Sequence, residues 1–281
     1  MNPYIELSRP VNSVMASIAV LIGFLVASSF TLTRDAIVKL VLSCISAFLF
    51  SASSMALNDY FDREIDAINQ PHRPIPSGRV SPERALAFAL IMLAIGLALS
   101  SIIGLNALIV AAIACASFTA YSIYLKRLGL IGNLMVSLCV ALTFIYGSAS
   151  YGSLTPLIVL FSIMAFLANT SREVIKGIID VEGDRARGVR TIAVAWGPRV
   201  AAHIAMAFMI AAVVISLMPM VYGLVNIFYT PIIAISDVGL LATTALVILS
   251  PQPSTAARSK KFMLIFMSLA LMSFLIGCIK I

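Results

Sequence analysis

The stretch Asn58-Asp-Tyr-Phe-Asp62-Arg-Glu-Ile-Asp66 comes directly after a long apolar segment. On a helix, Asn58, Asp62 and Asp66 succeed one another at intervals of four residues, and Asp59 lies beside them on the same face. Carboxylates that share a face repel one another, so a solvated helix gains nothing from this arrangement. A bound hard cation would turn the repulsion into attraction. The stretch therefore predicts a metal site at the end of an apolar helix.

The composition is that of a membrane protein. Of the 281 residues, 61% are hydrophobic and only 11% are charged, and the mean hydropathy is +1.05. A soluble domain of this length does not need so much apolar surface, whereas helices that cross a bilayer need about 20 apolar residues each. We predict an all-α polytopic membrane protein with nine transmembrane helices. The expected spans are 11–31, 37–57, two within 85–125, two within 128–171, and then 200–221, 224–250 and 262–279.

Breaker residues and a basic loop set the expected turns. Gly147, Gly152 and Pro156 mark the turn inside the apolar run 128–171, which is too long for one helix. A short basic loop is expected before the last span, with Arg258, Lys260 and Lys261. The four cysteines all fall inside apolar runs, without metal-ligand spacing, and are interpreted as packing residues.

The distribution of basic residues predicts the orientation in the membrane. With nine spans and the N-terminus inside, every Lys and Arg lies on the cytoplasmic side except Arg34, Lys39 and Lys280. We therefore expect a multi-pass protein of the cell membrane with its N-terminus and both acidic blocks in the cytoplasm and its C-terminus outside. Because the basic residues sit in short loops between helices, the net charge of +7 does not indicate a nucleic-acid partner.

A second polar block repeats the design of the first. Four charged residues follow each other at intervals of four residues, and so form one stripe on a helix: Arg172, Lys176, Asp180 and Asp184. In each block a pair of aspartates in the pattern Asp-x-x-x-Asp is followed by arginines and an apolar helix. We expect a single transmembrane domain over 1–281 with two pseudo-repeated halves, marked by the blocks 58–84 and 172–199.

Together the blocks have the chemistry of a site for a metal-bound diphosphate. Mg²⁺ prefers one or two carboxylates plus phosphate oxygens to a cage made only of protein. Arginine suits bidentate phosphate contacts, and lysine acts as a point charge. The cations that could complete the phosphate shell are Arg73, Arg79, Lys126, Arg172 and Lys176.

These motifs resemble those of the UbiA superfamily of intramembrane prenyltransferases. The resemblance rests on the paired aspartate motifs and extends over nearly the whole chain, through Arg9-Pro10-x-Asn12, Arg73-Pro-Ile-Pro-Ser-Gly78-Arg79, Tyr121-Ser-x-x-Leu-Lys126-Arg127 and Arg172-Glu-x-x-Lys176-x-x-x-Asp180-Val-Glu-Gly-Asp184. It implies nine transmembrane helices around a central cavity with a cytoplasmic cap. It also implies Mg²⁺-dependent transfer of a prenyl group from its diphosphate to a nucleophile.

The resemblance assigns roles residue by residue. The implied metal ligands are Asn58, Asp59, Asp62, Asp66, Asp180 and Asp184. Catalytic roles fall to Asp62, Asp66, Asp180, Asp184 and Lys126. Substrate contacts are expected from Arg9, Asn12, Arg73, Arg79, Tyr121, Lys126, Arg172 and Lys176.

Within the superfamily, the compact loops and the wording of both motifs are most similar to the archaeal branch that makes digeranylgeranylglyceryl phosphate for ether lipids. The implied donor is geranylgeranyl diphosphate, and the implied acceptor is the lipid-like geranylgeranylglyceryl phosphate. Surplus basic residues suit an acceptor with its own phosphate: Arg9, Arg127 and Arg190. Membrane lipid surrounds the chain, and no protein partner is predicted.

Three other functions stay open. An aromatic prenyltransferase of quinone, haem or chlorophyll synthesis would keep the mechanism and change the acceptor. A lipid-alcohol phosphotransferase also uses Mg²⁺ and aspartates, but Gly183-Asp-Arg-Ala-Arg187 only faintly matches its motif. A cation transporter would carry its carboxylates near the middle of the bilayer, whereas all but Asp237 map to the cytoplasmic edge here.

Overall fold

The computed structural model describes residues 2–186 and 188–279, apart from the side chains of Asn69 and Arg127. Throughout these residues the regular structure is helical, with a short 3₁₀ turn at Leu125–Leu128. The α-helices are α1 Pro3–Leu7, α2 Pro10–Ala27, α3 Arg34–Asn69, α4 Pro82–Ile103, α5 Leu105–Ile123, α6 Leu130–Tyr151, α7 Pro156–Ile179, α8 Val181–Ala186, α9 Ile192–Trp196, α10 Pro198–Ser216, α11 Met218–Val221, α12 Tyr229–Leu249 and α13 Pro253–Gly277.

Nine stretches of the described chain are long and apolar enough to cross a membrane, as predicted. They correspond to α2, α3 through Ile68, α4 to α7, α10 with α11, α12 and α13. Their starts follow local chemistry, because Pro82 and Pro156 occupy first-turn positions where a missing N–H costs nothing. The preceding Ser81 and Thr155 accept a hydrogen bond from the first turn of their helices. The chain is thus an all-α, multi-pass membrane protein.

Several expected boundaries were wrong. The eighth span begins at Tyr229, not at 224. The last span begins at Pro253, not at 262, so the predicted basic loop is the first part of α13. Gly147 lies inside α6 rather than in a turn. A Cβ atom at Gly147 would stand 2.1 Å from the carbonyl oxygen of Val20, so this glycine permits a close helix approach. The first span ends at Ala27, four residues earlier than the predicted end at 31.

The chain divides into two compact units, and each carries one acidic block. Unit 1 comprises Met1–Ile123 with Leu142–Leu154 and contains the block 58–84. Unit 2 comprises Tyr124–Ala141 with Thr155–Ile281 and contains the block 172–199. In unit 2 the apolar core joins α7, α10, α12 and the start of α13, through residues such as Val174, Met209 and Met263. The predicted single domain with pseudo-repeated halves stays a prediction.

Candidate functional site: two acidic blocks with basic partners

The first acidic block lies on the last three turns of α3. This helix runs for 36 residues, so it carries the apolar span and the block without interruption. Asp59, Asp62 and Asp66 are only 3%, 6% and 5% exposed. Buried carboxylates are costly unless they are paired or bind a cation. Asn58 lies one helical turn before Asp62 and is half-buried. The predicted clustering of acidic groups on one face of a helix is therefore present.

Two arginines from outside α3 neutralise part of this block. Arg73 lies 2.5 Å from Asp66 Oδ2 and 3.3 Å from Asp59 Oδ1 through the same Nη1 atom. Arg9 donates a hydrogen bond from Nη2 to Asp59 Oδ1. Because one guanidinium nitrogen of Arg73 serves two carboxylates, it holds Asp59 and Asp66 at a common centre. Sequence analysis predicted both arginines as substrate contacts, and the structure brings them to the acidic block.

The loop after α3 is folded tightly enough to position Arg73. The backbone N–H of Val80 donates to the carbonyl of Pro74 at 3.0 Å, and that of Ser77 donates to the carbonyl of Arg73 at 3.0 Å. Ile75 and Val80 are buried and anchor the loop. Gly78 adopts a φ of 73°, which favours glycine. The basic loop is therefore held in place by its own hydrogen bonds and buried side chains, and it is not a solvated, irregular segment.

Arg79 lies at the rim and pairs with the N-terminal helix α1. Its two terminal nitrogens contact the two carboxylate oxygens of Glu6 at 2.7 and 3.1 Å. The hydrogen bond from Arg79 lowers the pKa of the Glu6 carboxyl below its usual value. Arg79 Nη2 also donates to the carbonyl of His72. Glu6 was not singled out in the sequence, because a single acidic residue so far from the block gives no signal of its partner.

Two further predicted substrate contacts in unit 1 are half-buried. Asn12 lies in the first turn of α2, and its backbone N–H donates to the carbonyl of Arg9 at 3.0 Å. Tyr121 lies near the end of α5, in the part of that helix that precedes the 3₁₀ turn. Their contacts with substrate stay predictions.

The second acidic block continues α7 with only one bend. Asp180 closes α7, and its carbonyl accepts a hydrogen bond from the backbone N–H of Asp184 at 2.9 Å. That i to i+4 bond keeps the two aspartates one helical turn apart, so they share a face. Both side chains are partly exposed. The predicted alignment of Asp180 and Asp184 therefore holds, although they belong to α7 and α8 respectively.

Glu173 is a member of this block that sequence analysis missed. Its carboxylate is 8% exposed and lies between two predicted substrate contacts. Arg172 Nη1 is 3.4 Å from one oxygen, and Lys176 Nζ is 3.3 Å from the other. These distances are at the long end of the hydrogen-bonding range. The spacing of Glu173 and Lys176 on a helix was the available signal, but burial of the carboxylate depends on the packing of α7.

Close backbone packing brings the Lys126 segment, the 3₁₀ turn Leu125–Leu128, to the second block. Gly129 has a φ of 60°, and a Cβ atom there would stand 2.2 Å from the carbonyl oxygen of Arg190. The 3₁₀ turn that carries Lys126 is therefore held against the loop that follows Asp184. Lys126 is half-buried and Arg190 is exposed. The side chain of Arg127, a predicted contact for the acceptor phosphate, lies outside the described residues.

The donor set suits Mg²⁺ shared with a substrate. All of the candidate ligands are carboxylate or amide oxygens, which hard cations prefer. Within 2–186 and 188–279, no group of three or more His, Cys, Asp or Glu side chains is arranged to hold a metal ion by itself. The buried carboxylates and the arginines beside them instead fit an ion whose remaining ligands are phosphate oxygens and water. The residues present thus fit Mg²⁺ together with a diphosphate.

Residues 16–270 match the UbiA prenyltransferase family. The chain belongs to this family of prenyltransferases. The digeranylgeranylglyceryl phosphate synthase of Korarchaeum cryptofilum is 37% identical over 92% of this chain and 90% of its own length. That of Pyrococcus abyssi is 37% identical over 98% of this chain and 97% of its own length.

Solved structures have the same fold. A digeranylgeranylglyceryl phosphate synthase structure superposes with a TM-score of 0.78 at 32% identity, over 99% of this chain and 98% of that one. A UbiA homologue from Archaeoglobus fulgidus, bound to DMAPP and Mg²⁺, gives a TM-score of 0.67 at 19% identity, over 96% of this chain and 98% of that one. The resemblance in the motifs is thereby confirmed as membership of the family.

Proposed function

We propose that the protein transfers a geranylgeranyl group from geranylgeranyl diphosphate to geranylgeranylglyceryl phosphate, with Mg²⁺. The observation that carries this proposal is the group of three buried aspartates on α3, two of which, Asp59 and Asp66, pair with Arg9 and Arg73. Such a cluster serves leaving-group chemistry on a diphosphate. The acceptor follows from relatives named digeranylgeranylglyceryl phosphate synthase, which are 33–42% identical over most of the chain.

The carboxylates serve to hold the metal and through it the donor. Mg²⁺, when bound, would neutralise negative charge that develops on the departing diphosphate. Its proposed protein ligands are Asn58, Asp59, Asp62, Asp66, Asp180 and Asp184. A site that excludes water makes these electrostatic contacts stronger than they would be in bulk solvent.

The basic residues are proposed to bind phosphate oxygens directly. Arg73 is already held at the acidic block by two carboxylates, so its guanidinium is fixed before a substrate arrives. Lys126 and Lys176 contribute point charges in unit 2. The carbon–oxygen bond at C1 of the prenyl chain breaks, and its electron pair leaves with the diphosphate. The acceptor hydroxyl oxygen then forms the new ether bond at C1, and its proton passes to the released diphosphate.

The proposed orientation places both acidic blocks in the cytoplasm. The support is the asymmetry of Lys and Arg over the two sides, together with nine candidate spans among the residues that the structure describes. The prenyl chains would lie against apolar helix surfaces. Because donor and acceptor are both lipids with phosphate headgroups, a site at the cytoplasmic edge suits both.

A comparison of acceptors tests the proposed function. Purified protein in detergent would receive radiolabelled geranylgeranyl diphosphate with either geranylgeranylglyceryl phosphate or an aromatic acid. We expect labelled ether product only with the glyceryl phosphate. Product with the aromatic acid alone would contradict the proposed acceptor and keep the prenyl-transfer chemistry.

A further inference from the structure

The described residues of unit 2 include a lysine near the second block that no motif identified. Lys260 lies two turns into α13, in the stretch that sequence analysis treated as a loop. Ala256, Lys260 and Met263 are spaced four and three residues apart, so they share a face of the helix. Ala256 and Met263 are fully buried in the core that α13 forms with α7. Lys260 therefore lies on the packed face of α13.

α13 packs against α7, and among the described residues the charged side chains that act most strongly on Lys260 belong to the end of α7. They are Lys176, Arg172, Glu173 and Asp180. The cluster thus joins three cations with two carboxylates, and one of these, Asp180, is a proposed metal ligand. Two cations beside a partly buried lysine repel it, and burial adds a desolvation cost. A structural role alone does not account for this accumulation of positive charge.

Hydrogen-bond donors of Lys260 and Arg172 remain available within the part of the chain that the structure describes. Lys260 has no carboxylate within 4.0 Å among the described residues. The Nε atom of Arg172 is buried and has no hydrogen-bond partner in the same part of the chain. Glu173 contacts Arg172 and Lys176 only at 3.4 and 3.3 Å. A buried donor without an acceptor is costly, and an anion would supply acceptors and offset the excess of positive charge.

We propose that Lys260 and Arg172 form an anion site that binds a phosphate group of a substrate, and that Lys260 is a further substrate-binding residue. The site can take the diphosphate of the donor or the phosphate monoester of the acceptor, because both offer the same oxygen acceptors. In naming a substrate this inference rests on the proposed function. This inference goes beyond the proposed function because it assigns a role to α13, which carries no acidic motif.

Steady-state kinetics of three variants test this assignment. Lys260→Met removes the charge and keeps the length of the side chain, and Lys260→Arg restores the charge. Lys261→Met is the matched control, because Lys261 is the exposed neighbour on the same helix. We expect Lys260→Met to raise KM for one phosphorylated substrate about tenfold or more, the effect of losing a charge-assisted hydrogen bond. Lys260→Arg should recover most of this loss, and Lys261→Met should match the wild type.

The two substrates distinguish the two sources of phosphate. A rise in KM for geranylgeranyl diphosphate assigns the site to the donor, and a rise for geranylgeranylglyceryl phosphate assigns it to the acceptor. Unchanged KM values for both substrates in folded Lys260→Met would overturn the proposal.

Thermal melting gives a readout that does not need activity. Without anions, Lys260→Met should melt at the same temperature as the wild type or higher, because a repelled charge is gone. Inorganic phosphate or diphosphate should raise the Tm of the wild type and of Lys261→Met, and raise that of Lys260→Met less. Equal rises in all three proteins would contradict the anion site. If the wild type transfers no prenyl group, this measurement still tests the anion site, while the proposed function fails separately.

Discussion

At the scale of residues, the two blocks use opposite charges in different ways. In unit 1, three buried aspartates outnumber the two arginines beside them, and Arg9 and Arg73 balance only part of the negative charge. In unit 2, cations gather around the buried carboxylate of Glu173. The first arrangement suits a cation and the second suits an anion, which are the two components of a metal-bound diphosphate.

Replacement of Arg73 should impair transfer more than stability. Arg73→Ala removes the group that contacts both Asp59 and Asp66, and we expect kcat/KM to fall by a factor of about 10² to 10³, as for loss of a preorganised donor. The kcat/KM of Arg73→Lys should lie between the values of the wild type and of Arg73→Ala, because an ammonium group cannot reproduce the planar geometry of the guanidinium. The exposed Arg84 supplies the control, because Arg84→Ala should leave kcat/KM unchanged. Equal activities of Arg73→Ala and wild type would refute the role given to Arg73.

Loss of the Glu173 charge should destabilise unit 2. Glu173→Gln leaves Arg172 and Lys176 without their shared carboxylate, and breaking a buried ion pair costs about 3 kcal/mol or more. Thermal denaturation in detergent measures the effect as a lower Tm. Glu182→Gln, at an exposed position on α8, is the matched control and should melt like the wild type. A wild-type Tm for Glu173→Gln would show that the carboxylate does not hold the cluster.

At the scale of elements, local signals predicted more than tertiary ones. The spacing of four residues placed Asp62 and Asp66 on one helical face without further information. The predicted start of α13 was wrong because the first turns of this helix are polar. The polar residues indicated a loop, although Pro253 is typical of the first turn of a helix. Gly147 was misinterpreted because the sequence does not distinguish a glycine in a turn from a glycine at a close helix contact. The contact with the Val20 carbonyl is visible only in the structure. The positions of Glu173 and Lys260 in the second block could not be predicted from the sequence, because they depend on how α13 packs on α7.

The approach of the Lys126 segment to the second block depends on Gly129. Gly129→Ala would place a Cβ atom 2.2 Å from the Arg190 carbonyl, so the two loops must separate. Gly223 is the matched control, because its φ of 62° equals that of Gly129 within a few degrees and no atom lies within 4 Å of its Cβ position. Both variants carry a conformational cost for a positive φ, of about 1 kcal/mol or more. This cost is larger at Gly129, because its ψ of −114° lies outside the left-handed helical region, and Gly129→Ala adds an overpacking cost of about 1–3 kcal/mol.

We therefore expect a lower Tm for Gly129→Ala than for Gly223→Ala, and an additional loss of activity through the displaced Lys126. Thermal denaturation and the transfer assay measure the two effects. The prediction fails if the two alanine variants have the same Tm and the same activity.

At the scale of the whole molecule, the proposed function requires both acidic blocks on the cytoplasmic side. An odd number of spans between the N-terminus and the C-terminus puts the two ends on opposite sides. The count of nine agrees between sequence and structure over the described residues, whereas the orientation rests on charge asymmetry alone.

Single cysteines in exposed loops test the orientation. Ser77→Cys lies in the loop between α3 and α4, and Ser153→Cys lies between α6 and α7. In intact cells, a membrane-impermeant maleimide should label Ser153→Cys, and should label Ser77→Cys only after the membrane is opened. The native cysteines are removed by substitution with alanine as background. The opposite labelling pattern would invert the proposed topology.

The central claim is that the aspartates of both blocks support metal-dependent prenyl transfer. The most direct measurement is radiolabelled transfer from geranylgeranyl diphosphate to geranylgeranylglyceryl phosphate, with Mg²⁺ and with EDTA, for the wild type, Asp62→Ala, Asp184→Ala and the exposed control Asp35→Ala. We predict product in Mg²⁺ from the wild type and Asp35→Ala, and loss of product in EDTA and in both motif variants. Equal product from wild type, Asp62→Ala and Asp184→Ala, or product unaffected by EDTA, would contradict the account.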